Sequence, residues 1–248
     1  MSVAGRSLTH PFPDLSVRSR ETEILDDQDT PPDELARVLR DLDRFNGAML
    51  GQWPIVRWVA RAIRGLPKDR AVTILDVGCG SGDLLRAIRR WARRAGRTVD
   101  LVGIDLSADT VAIARRSTPD ADGIRYEAAD VFRWRPDAPV DLIVSGLVTH
   151  HLPDERIVAL LRWMESTARR GWLISDLQRS VVAYLFIAAM GKLTTLHPTV
   201  IHDGRISVAR ALTRAEWRQR IADSGIDGVT IRWMLYRYLV AHLKEPTP

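Results

Sequence analysis

The sequence has a single cysteine, Cys79, among its 248 residues. One cysteine excludes an intramolecular disulfide framework and a metal cluster held by several thiolates. Long apolar runs are also scarce, since the run at residues 181–190 is about half of the roughly 20 residues that a membrane helix needs. The first residues lack the charged-then-apolar pattern of a secretory signal. These absences predict a cytoplasmic protein without a membrane span.

The sequence also lacks the features of a nucleic-acid-binding protein. It has no RGG tract, no lysine-rich tail and no zinc-ligand spacing. Its net charge of +5 comes mostly from arginines that are dispersed along predicted helices, as in residues 86–94. Such dispersal is typical of a solvated helix face rather than of a groove for nucleic acid. We therefore expect a small-molecule partner and no nucleic acid, and we leave a homodimer open.

Periodicity divides the chain into one domain and an appendage. Residues 1–32 are rich in proline, serine, threonine and charge, which predicts a mobile N-terminal arm. Residues 33–65 show apolar residues at helical spacing and predict an N-terminal helical cap. From residue 72 onward, short β-rich runs alternate with amphipathic helices, which predicts an α/β fold with a doubly wound parallel sheet. Residues 33–248 are thus predicted to form a single domain.

Residues 177–212 interrupt this alternation and predict a lid over the sheet. An apolar helix comes first, and a polar loop is expected at residues 196–205. Thr213 resembles the N-cap of a further helix, which Gly225 ends, and two late strands follow. Ligands of doubly wound sheets bind at the carboxyl ends of the strands. A lid in this position would therefore cover the ligand site.

The most informative segment is residues 76–82, Asp-Val-Gly-Cys-Gly-Ser-Gly, which follows the first predicted strand. Its three glycines allow close backbone approach to a ligand at the start of a helix. A dinucleotide fingerprint would place a glycine at position 83, but Asp83 stands there. The carboxylate of Asp76 would repel a pyrophosphate and attract an ammonium group. A ligand with an amine and a carboxylate fits this loop better than NAD does.

This D-x-G-x-G-x-G pattern resembles motif I of the class I S-adenosylmethionine-dependent methyltransferases. The resemblance implies a Rossmann-like sheet with strand order 3-2-1-4-5-7-6, an antiparallel seventh strand and S-adenosylmethionine as cofactor. Asp105, at the end of the second strand, would hold the ribose hydroxyls, since Ser107 already suits the N-cap role. Asp130, after the third strand, would recognise adenine, or it is a solvated turn residue. The implied cofactor-binding residues are Asp76, Gly78, Cys79, Gly80, Gly82, Asp105, Leu106, Asp130, Val131, Ser145 and Leu147.

The segment after the fourth strand, His150-His151-Leu152-Pro153-Asp154, resembles the His-His-Leu-x-Asp motif of small-molecule methyltransferases. It differs from the Asn/Asp-Pro-Pro-Tyr/Phe motif of enzymes that methylate nucleic-acid bases and glutamine. A histidine at this position is suited to remove the proton of a phenol or an enol. We therefore predict that His150 or His151 is a general base. In the alternative, one packs against the cofactor and the other caps the next helix.

Polar and aromatic residues of the cap and the lid are candidates for acceptor binding. Two histidines and one aspartate at residues 197–203 are too few ligands for a metal site, and we expect no metal. Arg205 would hold an acidic group of the acceptor or pair with Asp203. Aromatic residues here would suit a flat acceptor, although many such residues are simply core. The candidate substrate-binding residues are Phe45, Met49, Trp53, Tyr184, His197, His202 and Arg205.

Residues 44–46 and residues 212–217 look similar to the corresponding segments of methyltransferases of quinone and polyketide metabolism. This similarity predicts a role in secondary metabolism. That similarity predicts methylation of a small aromatic or polyketide-derived acceptor, at a phenolic oxygen first. Methylation at a quinone or enol carbon is the alternative, because deprotonation activates both atoms. A nicotinamide-dependent reductase is disfavoured by the missing glycine, and a nucleic-acid methyltransferase by the dispersed charge. A non-catalytic module that binds S-adenosylmethionine stays open.

Overall fold

The computed structural model describes residues 13–26 and 30–244. Seven of its strands form one sheet with the order β3-β2-β1-β4-β5-β7-β6. Strand β7 runs antiparallel to β5 and β6, and the remaining neighbours are parallel. The predicted order and the antiparallel seventh strand are thus confirmed. The strands are β1 (Val72–Val77), β2 (Val99–Asp105), β3 (Ile124–Ala128), β4 (Val140–Gly146), β5 (Ala168–Leu177), β6 (Thr230–Met234) and β7 (Arg237–Leu243).

Eight α-helices accompany these strands in the described part of the chain. Two precede the sheet, three connect the parallel strands, two form the insertion after β5, and one precedes β6. The helices are α1 (Pro32–Ala48), α2 (Trp53–Ala62), α3 (Asp83–Ala95), α4 (Ala108–Ser117), α5 (Asp154–Thr167), α6 (Val181–Leu193), α7 (Pro198–Arg210) and α8 (Arg214–Ser224). The length and hydropathy of these helices, as far as the structure describes them, do not suffice for crossing a membrane.

Alternating side chains of the central strands build a core on each face of the sheet. Ile74 of β1 belongs to the core formed with α2, α3 and α4, and its neighbour Leu75 belongs to the core formed with α5 and α8. Successive residues of a strand point to opposite faces, so a strand buried on both sides must be apolar throughout. Trp172 and Trp217 are fully buried in the second core. This two-sided burial explains the continuous apolar runs of the sequence.

Local signals in the sequence set several helix ends. Ser107 caps α4 by accepting a hydrogen bond from the backbone N–H of Thr110. Thr213 and Glu216 form a reciprocal capping box at the start of α8, and Gly225 ends that helix in the left-handed conformation. These predicted caps are confirmed.

The expectation of a polar loop at residues 196–205 is wrong, because helix α7 covers most of this range. His197 caps the helix by accepting a hydrogen bond from the N–H of Thr199, and Pro198 occupies its first turn. Val200 and Ile206 are buried on its inner side. Interior Gly204 and several polar residues hid this apolar face in the sequence. The predicted lid is therefore a pair of helices, α6 and α7.

The carboxyl ends of β1, β2 and β4 lie side by side, since Asp76 is in register with Gly103 of β2 and Val144 of β4. Residues 13–26 run past this edge and contact α7, where the N–H of Ser19 donates to the carbonyl of Ala209. The rest of the predicted arm, at residues 1–12 and 27–29, lies outside the described residues. One edge of the sheet thus gathers the glycine loop, the lid and part of the arm.

Candidate active site

The glycine loop between β1 and α3 depends on backbone angles that favour glycine. Gly78, Gly80 and Gly82 all have positive φ angles, of 70°, 53° and 81°. A Cβ on Gly78 would overlap the side chain of Val148, and one on Gly82 would overlap the hydroxyl of Tyr126. Two of the three glycines are therefore required by close packing as well as by conformation.

Asp76 lies beneath this loop and is 2% exposed. Its Oδ1 has no hydrogen-bond partner among the described residues. Burial, together with the charges of Asp83 and Asp105, raises the pKa of Asp76 well above its ordinary value. An unpartnered carboxylate oxygen at this position would be satisfied by an ammonium group, as predicted from the sequence.

Two further predicted aspartates line the main cavity at the same edge of the sheet. The carboxylate of Asp105 accepts one hydrogen bond from the N–H of Gly80 and one from the N–H of Ser107, each at 3.0 Å. Burial raises the pKa of Asp105, although these backbone bonds oppose the shift. Asp130 accepts from the N–H of Phe132 at 3.0 Å. Each carboxylate keeps lone pairs for a hydroxyl or an amine of a ligand.

The main cavity has a volume of about 830 Å³, within the range of small-molecule sites. Asp76, Gly82 and Ser145 lie outside its lining. Asp76 lines a small neighbouring pocket together with Gly78 and Asp83, and the hydroxyl of Ser145 donates to the carbonyl of Val77 at 2.8 Å. Cys79 lines it, but burial raises the pKa of its thiol, which argues against a nucleophilic thiolate. The predicted cofactor residues that do line it are Gly78, Cys79, Gly80, Asp105, Leu106, Asp130, Val131 and Leu147.

His150 lies in the turn after β4 and is 3% exposed. Its Nδ1 is 2.7 Å from Oδ1 of Asp176, the penultimate residue of β5. The other oxygen of Asp176 accepts from the N–H of His150 at 2.9 Å and from the hydroxyl of Thr149. Burial alone would raise the pKa of Asp176, but the charge and hydrogen bonds of His150 and Thr149 hold it below its ordinary value. When the ring of His150 is neutral, an ionised Asp176 favours the proton on Nδ1, which leaves the lone pair on Nε2.

His151 follows directly, and its ring lies 4.2 Å from that of His150, measured between centroids. Its Nδ1 is 2.8 Å from Oδ1 of Asp26, in the segment that precedes α1. The first turn of α5 has no side-chain cap, so neither histidine plays that alternative role. Both rings line the main cavity, and both have a carboxylate on Nδ1.

The N-terminal segment supplies a carboxylate that sequence reasoning missed. Glu23 is 7% exposed and lines the cavity, and its Oε1 accepts from the hydroxyl of Ser207 at 2.9 Å. Burial raises the pKa of Glu23 to about 7, despite the opposing charge of His151. Arg18 anchors the segment by donating to the carbonyls of His150 and Leu152 at 3.0 and 2.8 Å. A single glutamate between Thr22 and Ile24, in a segment rich in charge, carries no sign of burial in the sequence.

Of the seven candidate substrate residues, Phe45 lines the main cavity and the other six do not. His202 pairs with Asp203, which also accepts from the backbone N–H groups of Ile24 and Leu25. Arg205 donates to the hydroxyl of Tyr184 rather than to Asp203. The remaining three have structural contacts or exposed positions: His197 caps α7, the Met49 carbonyl accepts from Tyr236, and Trp53 is 48% exposed beneath Arg57.

Comparison with known proteins gives this geometry a context. Residues 74–171, less than half of the chain, match a family model described as a methyltransferase domain. The trans-aconitate 2-methyltransferase of an Azoarcus species is 37% identical over 99 residues, which cover 38% of this chain and 36% of that protein. The protein of the same name from Afipia carboxidovorans is 29% identical over 165 residues, or 59% of this chain and 61% of that protein. The aligned part spans less than two thirds of either relative.

Solved structures share the fold at low identity. Magnesium protoporphyrin IX methyltransferase from Synechocystis, crystallised with S-adenosylhomocysteine, matches with a TM-score of 0.56 and 20% identity, over 82% of this chain and 86% of that chain. Human N-acetylserotonin methyltransferase, crystallised with S-adenosylmethionine, matches with a TM-score of 0.60 and 14% identity, over 88% of this chain and 57% of that chain. At these identities the likeness establishes the architecture of the sheet and its helices.

Proposed function

We propose that this chain, whose residues 74–171 match a methyltransferase-domain model, is a class I, S-adenosylmethionine-dependent methyltransferase that methylates a small hydroxylated acceptor. One observation carries the proposal. The glycine loop, Asp105 and Asp130 open into the same cavity as the paired histidines. A cofactor on the first group of residues and an acceptor beside the second would meet in one enclosed space, which favours direct transfer.

The residues at the glycine loop fit the cofactor. When bound, S-adenosylmethionine supplies a methyl group made electrophilic by its sulfonium. Asp76, with its unpartnered Oδ1, would hold the amino group of the cofactor. The carboxylate of the cofactor would lie near the N-terminus of α3. Asp105 would accept from the ribose hydroxyls, and Asp130 from the adenine amine. Without side chains, the glycines of the loop would allow the cofactor to approach the protein backbone closely.

The lid side of the cavity favours an apolar acceptor. Its lining there is mostly aliphatic and aromatic, with Leu39, Phe45, Leu177, Phe186, Ile187 and Val200. Such a surface suits a flat aromatic or polyketide-derived ring. We propose a phenolic oxygen as the atom that is methylated, with a quinone or enol carbon as the alternative. His150 and His151 would contact the acceptor oxygen and promote the loss of its proton.

A carboxylate acceptor is the second candidate, because the curated relatives named above are trans-aconitate methyltransferases. Arg237 lines the cavity, is 5% exposed and could face one carboxylate. However, the carboxylates of Glu23, Asp26 and Asp203 line the same cavity near the histidines. A tricarboxylate would meet these charges in a poorly solvated space, which costs free energy. The lining therefore supports a phenol ahead of trans-aconitate.

Calorimetric titration with S-adenosylmethionine, S-adenosylhomocysteine and NADH tests the cofactor. We expect dissociation constants on the order of micromolar for the first two and no binding of NADH. If Asp105→Ala binds neither S-adenosylmethionine nor S-adenosylhomocysteine but keeps the unfolding midpoint of the wild type, the cofactor site includes Asp105. Binding of NADH alone would refute the proposal.

Turnover assays with phenols, quinones and trans-aconitate then test the acceptor. We expect His150→Ala to keep cofactor affinity and to lose turnover by about a hundredfold, the lower end of the effect of a proton-transferring group. His242→Ala, which removes a histidine bonded to Glu165 on the outer part of the sheet, is the matched control. Normal turnover in both His150→Ala and His151→Ala would mean that alignment alone drives the reaction. Preferred turnover of trans-aconitate would select the second candidate.

A further inference from the structure

The cavity holds a group of three side chains whose donor atoms face one another. Nε2 of His150 lies 3.6 Å from Oε1 of Glu23, and Nε2 of His151 lies 3.8 Å from Oε2 of the same carboxylate. One donor atom from each of the three residues falls within 4.8 Å of the others. Both histidine–carboxylate separations are too long for a hydrogen bond. The three groups therefore surround a gap instead of bonding directly to each other.

The outer nitrogens of both histidines are already engaged. Nδ1 of His150 bonds to Asp176 at 2.7 Å, and Nδ1 of His151 bonds to Asp26 at 2.8 Å. Histidines that bind metals almost always place the second ring nitrogen on a carboxylate, a carbonyl or water. That contact fixes the ring and leaves the Nε2 lone pair toward the ion. Here the same arrangement occurs twice, around one shared glutamate.

The charge around the gap also favours a cation. Four carboxylates lie in this cluster, those of Glu23, Asp26, Asp176 and Asp203. The guanidinium group of Arg210 balances part of this charge, since it pairs with Asp26 at 2.7 Å and lies 3.8 Å from Oε1 of Glu23. Arg18 pairs with Asp154, outside the cluster, at 2.9 Å. The surplus of negative charge in a largely buried site calls for a positive ion.

We propose that Glu23, His150 and His151 bind a divalent transition-metal ion at the acceptor end of the cavity. Two nitrogens and one carboxylate oxygen form the ligand set of several catalytic metal sites, which keep further positions open for water or substrate. Ligand atoms at about 2.1 Å from a tetrahedral ion lie roughly 3.4 Å apart. The two histidine–Glu23 separations of 3.6 and 3.8 Å would shorten slightly, and the widest separation among the three donor atoms, within 4.8 Å, would shorten more. Imidazole favours Zn²⁺, Fe²⁺ or Co²⁺ over Mg²⁺, which prefers oxygen ligands.

Metal binding itself does not depend on the proposed function, but its consequence for the reaction rests on it. A hydroxyl group on an open position of the ion would have a lowered pKa. The two histidines would then act on the acceptor by holding the ion. The three ligands come from distant parts of the chain, since Glu23 precedes the histidines by more than 120 residues.

Titration of the full chain with Zn²⁺, in competition with a chromophoric chelator, tests the site directly. We expect one Zn²⁺ per chain, and a loss of affinity of at least about a hundredfold in Glu23→Gln and in His151→Gln, since each removes one of three ligands. Asp26→Asn should lose about tenfold, the usual effect of an outer partner. His242→Gln, which breaks a histidine–carboxylate pair outside the cavity, should bind like the wild type. The absorption spectrum of the Co²⁺ form should show the intense bands of a four-coordinate site and lose them in His151→Gln.

The outcomes separate this proposal from the proposed function. Stoichiometric Zn²⁺ binding that both variants weaken supports the site, even if S-adenosylmethionine does not bind. Equal Zn²⁺ affinity in the wild type, Glu23→Gln and His151→Gln, or no binding by the wild type, would overturn it. Far-UV circular dichroism and the unfolding midpoint show whether each variant is folded. If one variant is unfolded, the other decides the question.

Discussion

The replacement Gly78→Ala measures how closely the glycine loop packs against the turn after β4. An alanine with φ near 70° costs about 1–2 kcal/mol in backbone strain. Its Cβ would also overlap Cγ2 of Val148, and overpacking of this kind costs about 1–3 kcal/mol. We therefore expect the free energy of unfolding to fall by about 2–5 kcal/mol, the sum of the two effects. Urea denaturation of the ligand-free protein measures it.

Two companion variants separate strain from overlap. Gly80→Ala has a similar φ of 53°, but its Cβ would meet no described atom within 4 Å, so only the strain of about 1–2 kcal/mol should remain. Val148→Ala in the Gly78→Ala background should restore about 1–3 kcal/mol relative to the sum of the single effects. Equal losses in Gly78→Ala and Gly80→Ala, or no coupling to Val148→Ala, would refute the packing argument.

Two more predictions concern the elements around the loop. Burial, and then the charge of Asp83, raises the pKa of Asp43 to about 6. The folded state therefore binds the proton of the Asp43 carboxyl more tightly than the unfolded state does. The stability that this protonation contributes is lost as pH rises from about 4 through 6. The wild type should therefore lose up to about 3 kcal/mol over that range relative to Asp43→Asn, and a constant difference between their urea midpoints would contradict this. Arg18→Ala should raise amide hydrogen exchange in residues 13–26, because Arg18 holds that segment by bonds to backbone carbonyls. The exposed Arg20→Ala is its control, and unchanged exchange in Arg18→Ala would contradict the anchoring role.

The cofactor side of the site could be predicted because its signals are local. Asp76 is the penultimate residue of β1, Asp105 is the last residue of β2, and Asp130 follows β3. Parallel strands bring their carboxyl ends to one edge of the sheet. A short sequence window thus suffices to identify each residue, and the topology supplies their proximity. The alternation of strands and helices predicts the doubly wound sheet, and the strand order is what the resemblance to class I methyltransferases implies. The order is defined by the backbone hydrogen bonds between neighbouring strands and does not depend on side-chain contacts.

The acceptor side could not be predicted in the same way. His150 and His151 were identified from their motif, but their partners Asp176 and Asp26 come from β5 and from the N-terminal segment. Nothing near Asp176 in the sequence distinguishes it from an aspartate at the end of a buried strand. The sequence predicts a polar loop in place of α7 for a related reason, since the apolar face of α7 is interrupted by Gly204 and by residues that bond to the N-terminal segment.

The position of Glu23 changes how the N-terminal segment must be understood. Its composition predicts a mobile arm, and for residues 1–12 and 27–29 that prediction stays open. Residues 13–26, however, place one buried carboxylate beside both histidines and a second, Asp26, on the outer nitrogen of His151. A segment of low apolar content can be held in this way because its polar groups find partners, here Arg18 on the carbonyls of the histidine turn and Asp203 on the N–H groups of Ile24 and Leu25. In the proposed reaction, the groups around the acceptor would therefore come from the N-terminal segment as well as from the turn after β4 and from β5, and they would depend on the docking of this segment as much as on the sheet.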